Sequence, residues 1–422
     1  MLGLAIAYLR DKPLTTLLNI LLLGLATATL IILVTVSTQL GTRIDRDAKG
    51  IDLVVGAKGS PLQLILSSIY QIDSPTGNIP VASVDLLRRD PSVARVVPLA
   101  LGDNFRGFRI VGTEPAYLDL YGAKLASGRM NIASGEALLG ADVTKATGAA
   151  LGQKFVGSHG LGSGEGAGEH KANPFTTVGT LTRTGTVIDR LIITSIPTIW
   201  DVHGIEHDHD EKEGEHHDGA GHDHDKDHNH EAEAGEAPEV MPAEVTALLV
   251  TYRNATGAIR IPSFVNAQQA LQSAVPAIET TRLLSFLGAG LDAVQLLAWL
   301  IALTGGLSIF VALLNAMDTR EGDLALLRVM GATRSSVFGT VLVEGMITAG
   351  SGALLGLLLG HLAIAAAIAN FKRLEQIGLD PFTFHPAELA IVAGVLAIGV
   401  VAALIPAIRL FRSDLNRALS RA

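Results

Sequence analysis

Apolar residues gather in four long stretches free of Asp, Glu, Lys and Arg: Leu14–Thr42, Leu296–Ala316, Gly345–Asn370 and Leu389–Ile408. Crossing the hydrocarbon core of a bilayer takes about 20 apolar residues of helix, and each stretch is long enough. Buried helices of a large soluble protein would be interrupted by charges every two turns or so, and these are not. The spacing is one stretch, a long gap, then three in close succession. The pattern predicts an integral membrane α-helical protein with four transmembrane helices and a large extracytoplasmic α+β domain between the first and second.

Within the gap, short β-branched or aromatic runs between turn residues predict strands over Asp52–Val55, Val93–Ala100, Phe105–Val111, Phe175–Thr182, Leu191–Thr194 and Val245–Tyr252. Ser60 followed by Pro61 opens a helix through Tyr70, and further helices are predicted over Val84–Arg89, Pro115–Leu120 and Ala267–Ala274. Two inserts read as unstructured. Residues 157–170 are rich in glycine, and residues 201–238 are almost devoid of apolar side chains, so neither can bury enough surface to offset its ordering entropy. The expected division is 1–42 for the N-terminus and first span, 43–284 for the outer domain, and 285–422 for the remaining spans.

Orientation follows from Lys and Arg in the short segments. Arg10 and Lys12 precede the first span, Arg320, Arg328 and Arg334 lie between the second and third, and Arg409, Arg412, Arg417 and Arg421 follow the fourth. This bias places both termini in the cytoplasm and the long gap outside. Lys372 and Arg373 in the last outer loop are offset by Glu375 and Asp380. The first span is too long, and lacks a clear small-residue cleavage site, to read as a removable signal peptide.

Charge refines the picture. The formal net charge is −9, yet Asp201–Glu239 alone holds fifteen acidic residues and two lysines, leaving 30 basic against 26 acidic residues elsewhere. The body is nearly neutral and carries an acidic insert. With no cysteine, the outer domain must rest on its own core. There is no G-x-x-x-x-G-K-[ST], H-E-x-x-H or G-x-S-x-G, and Gly56-Ala57-Lys58-Gly59-Ser60 is only a superficial echo of the first. The chain therefore does not read as an enzyme, and nothing in it points to nucleic acid. Ionisable groups in the spans are few, with Asp292 and Glu344 near helix ends and His361 toward the outer end of the third, where it reads as an interfacial or helix-contact residue rather than a proton relay. An ion-coupled carrier would place charges near mid-membrane.

The segment between the second and third spans is the most specific motif. Leu324, Leu326, Leu327 and Met330 give a short amphipathic helix over residues 320–331, charged at its start and closed by Gly331. Such a helix either lies on a membrane surface or docks into a groove of a soluble partner. The segment resembles the coupling helix of the MacB/FtsX-like permeases of ABC transporters. The resemblance rests on Arg320, Glu321, Leu326, Leu327, Arg328, Gly331 and Ala332, with Glu344 early in the next span, and on the tail Ala403–Arg409 and Arg412–Leu419. The stretch Asp52–Ile79 is similar to a subgroup of these permeases linked to bacterial zinc-starvation gene clusters.

The resemblance implies a bacterial inner-membrane subunit without its own motor. It implies a dimer of permease subunits, each docking Arg320, Glu321, Leu324, Leu326, Leu327, Arg328, Met330, Gly331 and Glu344 against a separate ATPase that binds the ATP. ATP-driven motion would pass through the first two spans to the outer domain, to handle or export an envelope substrate or to engage an extracytoplasmic partner protein. The alternative is the cell-division branch of the family, a membrane scaffold whose outer domain activates a cell-wall hydrolase.

Nine of the thirteen histidines cluster in the acidic insert: His203, His207, His209, His216, His217, His222, His224, His228 and His230. Imidazoles with neighbouring carboxylates and no thiolate favour Zn²⁺, Ni²⁺ or Cu²⁺. The expected binding is labile and multi-site. The bland alternative is a solvated acidic loop.

Overall fold

Pro13 separates two helices. Its ring supplies no backbone N–H, which suits the first turn of a helix, where that group has no partner within the helix. The structure, a computed structural model, describes residues 2–159, 174–203, 243–371 and 379–412. It opens with α1 (Leu2–Asp11) and α2 (Pro13–Asp47). The chain continues through β1 (Leu53–Ala57), α3 (Pro61–Ser68), β2 (Ile79–Pro80), α4 (Ala82–Arg88), β3 (Val93–Phe105), β4 (Phe108–Thr113) and α5 (Pro115–Leu120). Next come β5 (Leu125–Gly128), β6 (Glu136–Leu139), α6 (Ala141–Thr147), β7 (Lys154–Phe155), β8 (Ser158–His159), β9 (Phe175–Leu181), β10 (Leu191–Thr194) and α7 (Ile196–His203). The remainder is β11 (Glu244–Val245), β12 (Ala247–Tyr252), α8 (Ala255–Asn266), β13 (Leu271–Ala274), α9 (Pro276–Val329), α10 (Arg334–Asn370) and α11 (Pro386–Arg412). Contacts divide the chain into two units, residues 1–43 with 284–422, and residues 44–283.

The helical unit contains four helices long and apolar enough to cross a membrane, within α2, α9, α10 and α11. Leu23, Ile309, Val341, Ala349, Val395 and Ala403 form its centre. Close approach of α2 and α10 depends on glycine. A Cβ on Gly356 would meet Thr27 Cβ at 2.4 Å and the Gly24 carbonyl at 2.5 Å, and one on Gly352 would meet Leu23 Cβ at 2.7 Å. Small residues every fourth position let helix backbones pack closely in a bilayer, where dispersion rather than water exclusion holds helices together. Leu14, Leu17, Leu21, Leu300, Leu307, Leu354 and Leu358 remain exposed around the unit. Such an apolar girdle suits hydrocarbon rather than water.

The outer unit is α+β. Its main sheet is mixed, in the order β13-β1-β12-β3-β4-β10-β6-β9-β5, with β7 and β8 pairing at the side and β11 pairing with β2 separately. The β4–β10 and β6–β9 pairs are parallel. Leu53, Val55, Val250, Ile110, Ile192 and Leu139 form one continuous core along the sheet, with Phe155 and Phe175 stacked at 5.4 Å. Each is a β-branched, leucine or aromatic residue of a run that suits a strand buried on both faces.

Three sequence expectations are corrected. Ala267–Ala274 is not a helix: α8 lies just before it, capped by Asn254, and Leu271–Ala274 is an edge strand hydrogen-bonded to β1. The Asn266 side chain accepts the Ser273 N–H at 2.8 Å, closing the turn between them. The glycine-rich insert does not begin at Gly157, because Ser158–His159 pairs with β3. The acidic insert does not begin at Asp201, because α7 continues to His203 and buries Val202. The rest of both inserts lies outside the described residues. Trp200 Nε1 donates to the Glu244 carbonyl at 2.7 Å, so the chain leaving α7 and the chain returning into β11 are tied together.

Candidate functional site

The motif between the second and third spans is not a separate short helix. α9 continues unbroken from Pro276 to Val329, because the charges that end an apolar stretch do not interrupt a backbone hydrogen-bond ladder. Arg320, Glu321, Leu324, Leu326, Leu327 and Arg328 therefore occupy its final turns; the positions of their side chains lie outside the description. Met330 follows and is 69% exposed. Gly331 turns the chain at φ +103°, a backbone conformation that costs a residue with a Cβ and suits glycine. Thr333 then caps α10, its hydroxyl accepting the Ser336 N–H at 3.2 Å.

Glu344 lies on α10 and is buried. Its carbonyl accepts the Thr348 hydroxyl at 2.9 Å. Glu344 and Thr348 line a cavity of about 130 Å³ with Tyr8, Lys12, Asn19 and Asn315. Two bonds hold the walls in place. Thr16 donates to the Leu9 carbonyl at 3.1 Å, joining α2 to α1, and the Ser308 hydroxyl donates to Asn19 Oδ1 at 2.6 Å, joining α9 to α2. The sequence singled out Glu344 for its place early in the third span, and no local pattern connects Tyr8, Lys12 or Asn19 to it. α1 was also missed, being too short to register as a span. The cavity lies between α1, α2, α9 and α10 and is lined by both polar and apolar side chains.

His361 is a helix-contact residue. Its Nδ1 lies 2.7 Å from the Pro381 carbonyl and its Nε2 lies 3.1 Å from Glu388 on α11.

In the outer unit, the end of α2 is gripped by polar groups. Asp47 is buried, the Tyr121 hydroxyl donates to its carbonyl at 2.9 Å, and Arg190 Nη2 lies 3.9 Å from its carboxylate. Arg109, also buried, donates to the Ser67 and Asp73 carbonyls. Burial lowers its guanidinium to about 10, and Asp73 opposes the shift. Tyr70, Tyr117 and Tyr121 are all raised, chiefly by burial and next by neighbouring negative charge or phenol.

Of the nine clustered histidines, His203 lies within the described residues. His207, His209, His216, His217, His222, His224, His228 and His230 lie outside them. Among the described residues no group of three or more ligating side chains is placed to hold a metal ion.

Two family models match the sequence. One, described as the FtsX-like permease C-terminal, covers residues 296–415, and the other, the MacB-like periplasmic core domain, covers residues 16–215. Neither description mentions zinc. None of the curated proteins compared with the chain matches it. Among solved structures, the periplasmic region of MacB from Actinobacillus actinomycetemcomitans is similar at 11% identity, covering 56% of this chain and 95% of that one with a TM-score of 0.34. The extracellular domain of the noncanonic ABC-type transporter YknZ from Gram-positive bacteria is similar at 12% identity, covering 53% and 98%, with a TM-score of 0.29.

Proposed function

The chain belongs to the MacB/FtsX-like ABC transporter permease family, and from that membership we propose that it transmits motion from a separate ATPase subunit to its own outer domain. Members of this family are membrane components that normally work with a separate ATPase and are not themselves catalytic. Residues Arg320 to Gly331, with Glu344, form the docking element in this reading. The observation that carries it is the continuity of α9. One helix contains the last residues of the outer unit, the second span and the docking residues Arg320 to Arg328, and a glycine turn follows it. A continuous helix passes on displacement at one end because its hydrogen bonds resist stretching and bending. A dimer of permeases with both termini cytoplasmic and the outer unit in the periplasm completes the arrangement. The substrate is an envelope component, and the acidic histidine segment takes up Zn²⁺ loosely.

Replacing Leu327 by Asp tests the docking element. A leucine seated in a partner's groove is worth about 2 kcal/mol or more, so recovery of the ABC-type ATPase with the purified permease should fall at least about thirtyfold. The permease itself should keep its detergent-solubilised melting temperature. Undiminished recovery of the ATPase overturns the reading, and a cell-wall hydrolase recovered in its place favours the regulatory branch of the family.

A further inference from the structure

Polar residues recur on one side of the chain where the first span begins. Lys12, Thr15, Thr16 and Asn19 follow one another at three- and four-residue steps, the spacing of a single helix face, and all four line the cavity of about 130 Å³. Glu344 and Thr348 line it from α10 at the same four-residue step, and Asn315 lines it from α9. These positions belong to one end of the spans. Lys12 precedes the first, Asn315 is near the close of the second, and Glu344 lies early in the third.

Polar side chains at the margin of a hydrocarbon layer are costly unless they serve one another or a ligand. Some of these serve one another. Thr16 donates to the Leu9 carbonyl, Thr348 to the Glu344 carbonyl, and Ser308 to Asn19 Oδ1. Among the described residues, the Lys12 ammonium and the Asn19 amide N–H₂ have no hydrogen-bond partner. Lys12 is half-buried and Asn19 is buried, so water reaches neither freely. The walls therefore offer spare donors beside α2 and a carboxylate on α10, around a space roughly ten times what one water needs.

We propose that this cavity receives the headgroup of a zwitterionic aminophospholipid, such as phosphatidylethanolamine, from the adjoining leaflet. Lys12, Thr15 and the Asn19 amide donate to its phosphate, and the Glu344 carboxylate accepts from its primary ammonium. A purely anionic headgroup would bring only negative charge to Glu344, and a quaternary ammonium has no N–H to donate. Thr15 and Asn315 are exposed at the rim. Val311 and Leu307, four and eight residues before Asn315 on α9, are exposed as well and give the acyl chains an apolar track toward the middle of the layer. The site does not depend on the ATPase reading, and the lipid measurement uses the permease alone.

The test is native mass spectrometry of the delipidated full-length permease in detergent, titrated with dioleoyl phosphatidylethanolamine, phosphatidylcholine and phosphatidylglycerol. The expected result is one phosphatidylethanolamine per chain, held at least about tenfold more tightly than either of the others. Lys12→Ala and Asn19→Ala should each weaken it at least about fivefold, and Glu344→Gln should erase the preference over phosphatidylcholine. Soluble phosphoethanolamine at millimolar concentration should not displace the lipid. Thermal unfolding checks that each variant is folded, and Lys12→Ala, at a half-buried position, carries the test if the buried variants are not. Equal retention of the three lipids, stronger retention of phosphatidylglycerol, or Lys12→Ala binding like its parent overturns the proposal. Displacement by phosphoethanolamine also overturns it, and assigns the cavity to a soluble ligand.

Discussion

Asp47, the last residue of α2, accepts the Val187 backbone N–H on its Oδ1 at 2.8 Å. The two residues are far apart in sequence, and Val187 is fully buried beside the turn that leads into β10. The last turn of α2, residues 44–47, belongs to the outer unit and is thereby tied to the turn that leads into β10. The same carboxylate faces Arg190, whose Nη2 also donates to the Tyr70 carbonyl at 2.8 Å.

Asp47→Ala should destabilise the outer unit. It removes the Val187 acceptor and leaves the Arg190 guanidinium without that neighbour, a change that costs about 3 kcal/mol at a buried site. A fall of roughly 6–12 °C in melting temperature is expected, with a smaller fall for Asp47→Asn, which keeps an acceptor. An unchanged melting curve for the alanine variant contradicts the gripping role.

Gly356→Leu should separate α2 from α10. The added side chain would start 2.4 Å from Thr27 Cβ, and overpacking of this kind costs about 1–3 kcal/mol even when the backbone shifts to relieve it. Monodispersity after heating, read by size-exclusion chromatography in detergent, should drop. Gly290→Leu, at a position with nothing within 4 Å, should not change it.

Alkaline titration should separate the tyrosines. Burial, with Asp52 adding to it, pushes Tyr252 up to about 12, while Tyr70, Tyr117 and Tyr121 are raised as well. In unfolded chains each ionises near about pH 10. The folded state thus holds these protons more tightly. The stability this contributes is full below about pH 10 and is lost as pH rises from there through the folded values. Near-ultraviolet absorbance should show tyrosinate appearing in step with unfolding. Titration of all the tyrosines near pH 10, with the circular dichroism still native, would count against the buried cluster.

A reporter inserted at Gly219 should be labelled from outside intact cells, and one placed after Arg421 only after permeabilisation. This expectation rests on the arginine bias of the short segments. C-terminal labelling of intact cells would reverse it.

Much of the helical unit was legible in the sequence, because twenty-residue charge-free stretches have few alternatives. The ends of the helices were harder to read. α9 runs past Ala316 since hydropathy falls at Asp318 while the ladder of backbone bonds continues. Strand β10, Leu191–Thr194, matched its expectation because a short, wholly buried β-branched run suits little else. Ala267–Ala274 misled because alanine and glutamine favour helix locally, whereas pairing with β1 decided the matter. At the candidate site, Gly331 and Glu344 stood out in the sequence. Lys12, Asn19 and Tyr8 reach the same cavity only through tertiary packing.

The bond from Trp200 to the Glu244 carbonyl makes the intervening segment a cassette. With both of its roots anchored to each other, the core is indifferent to what the segment contains. Closing a loop costs more only as the logarithm of its length, about 0.6 kcal/mol for each doubling. The segment can therefore be shortened, lengthened or stripped of its histidines without refolding the domain, and an engineer can replace it with a tag or an entire small protein on the same terms.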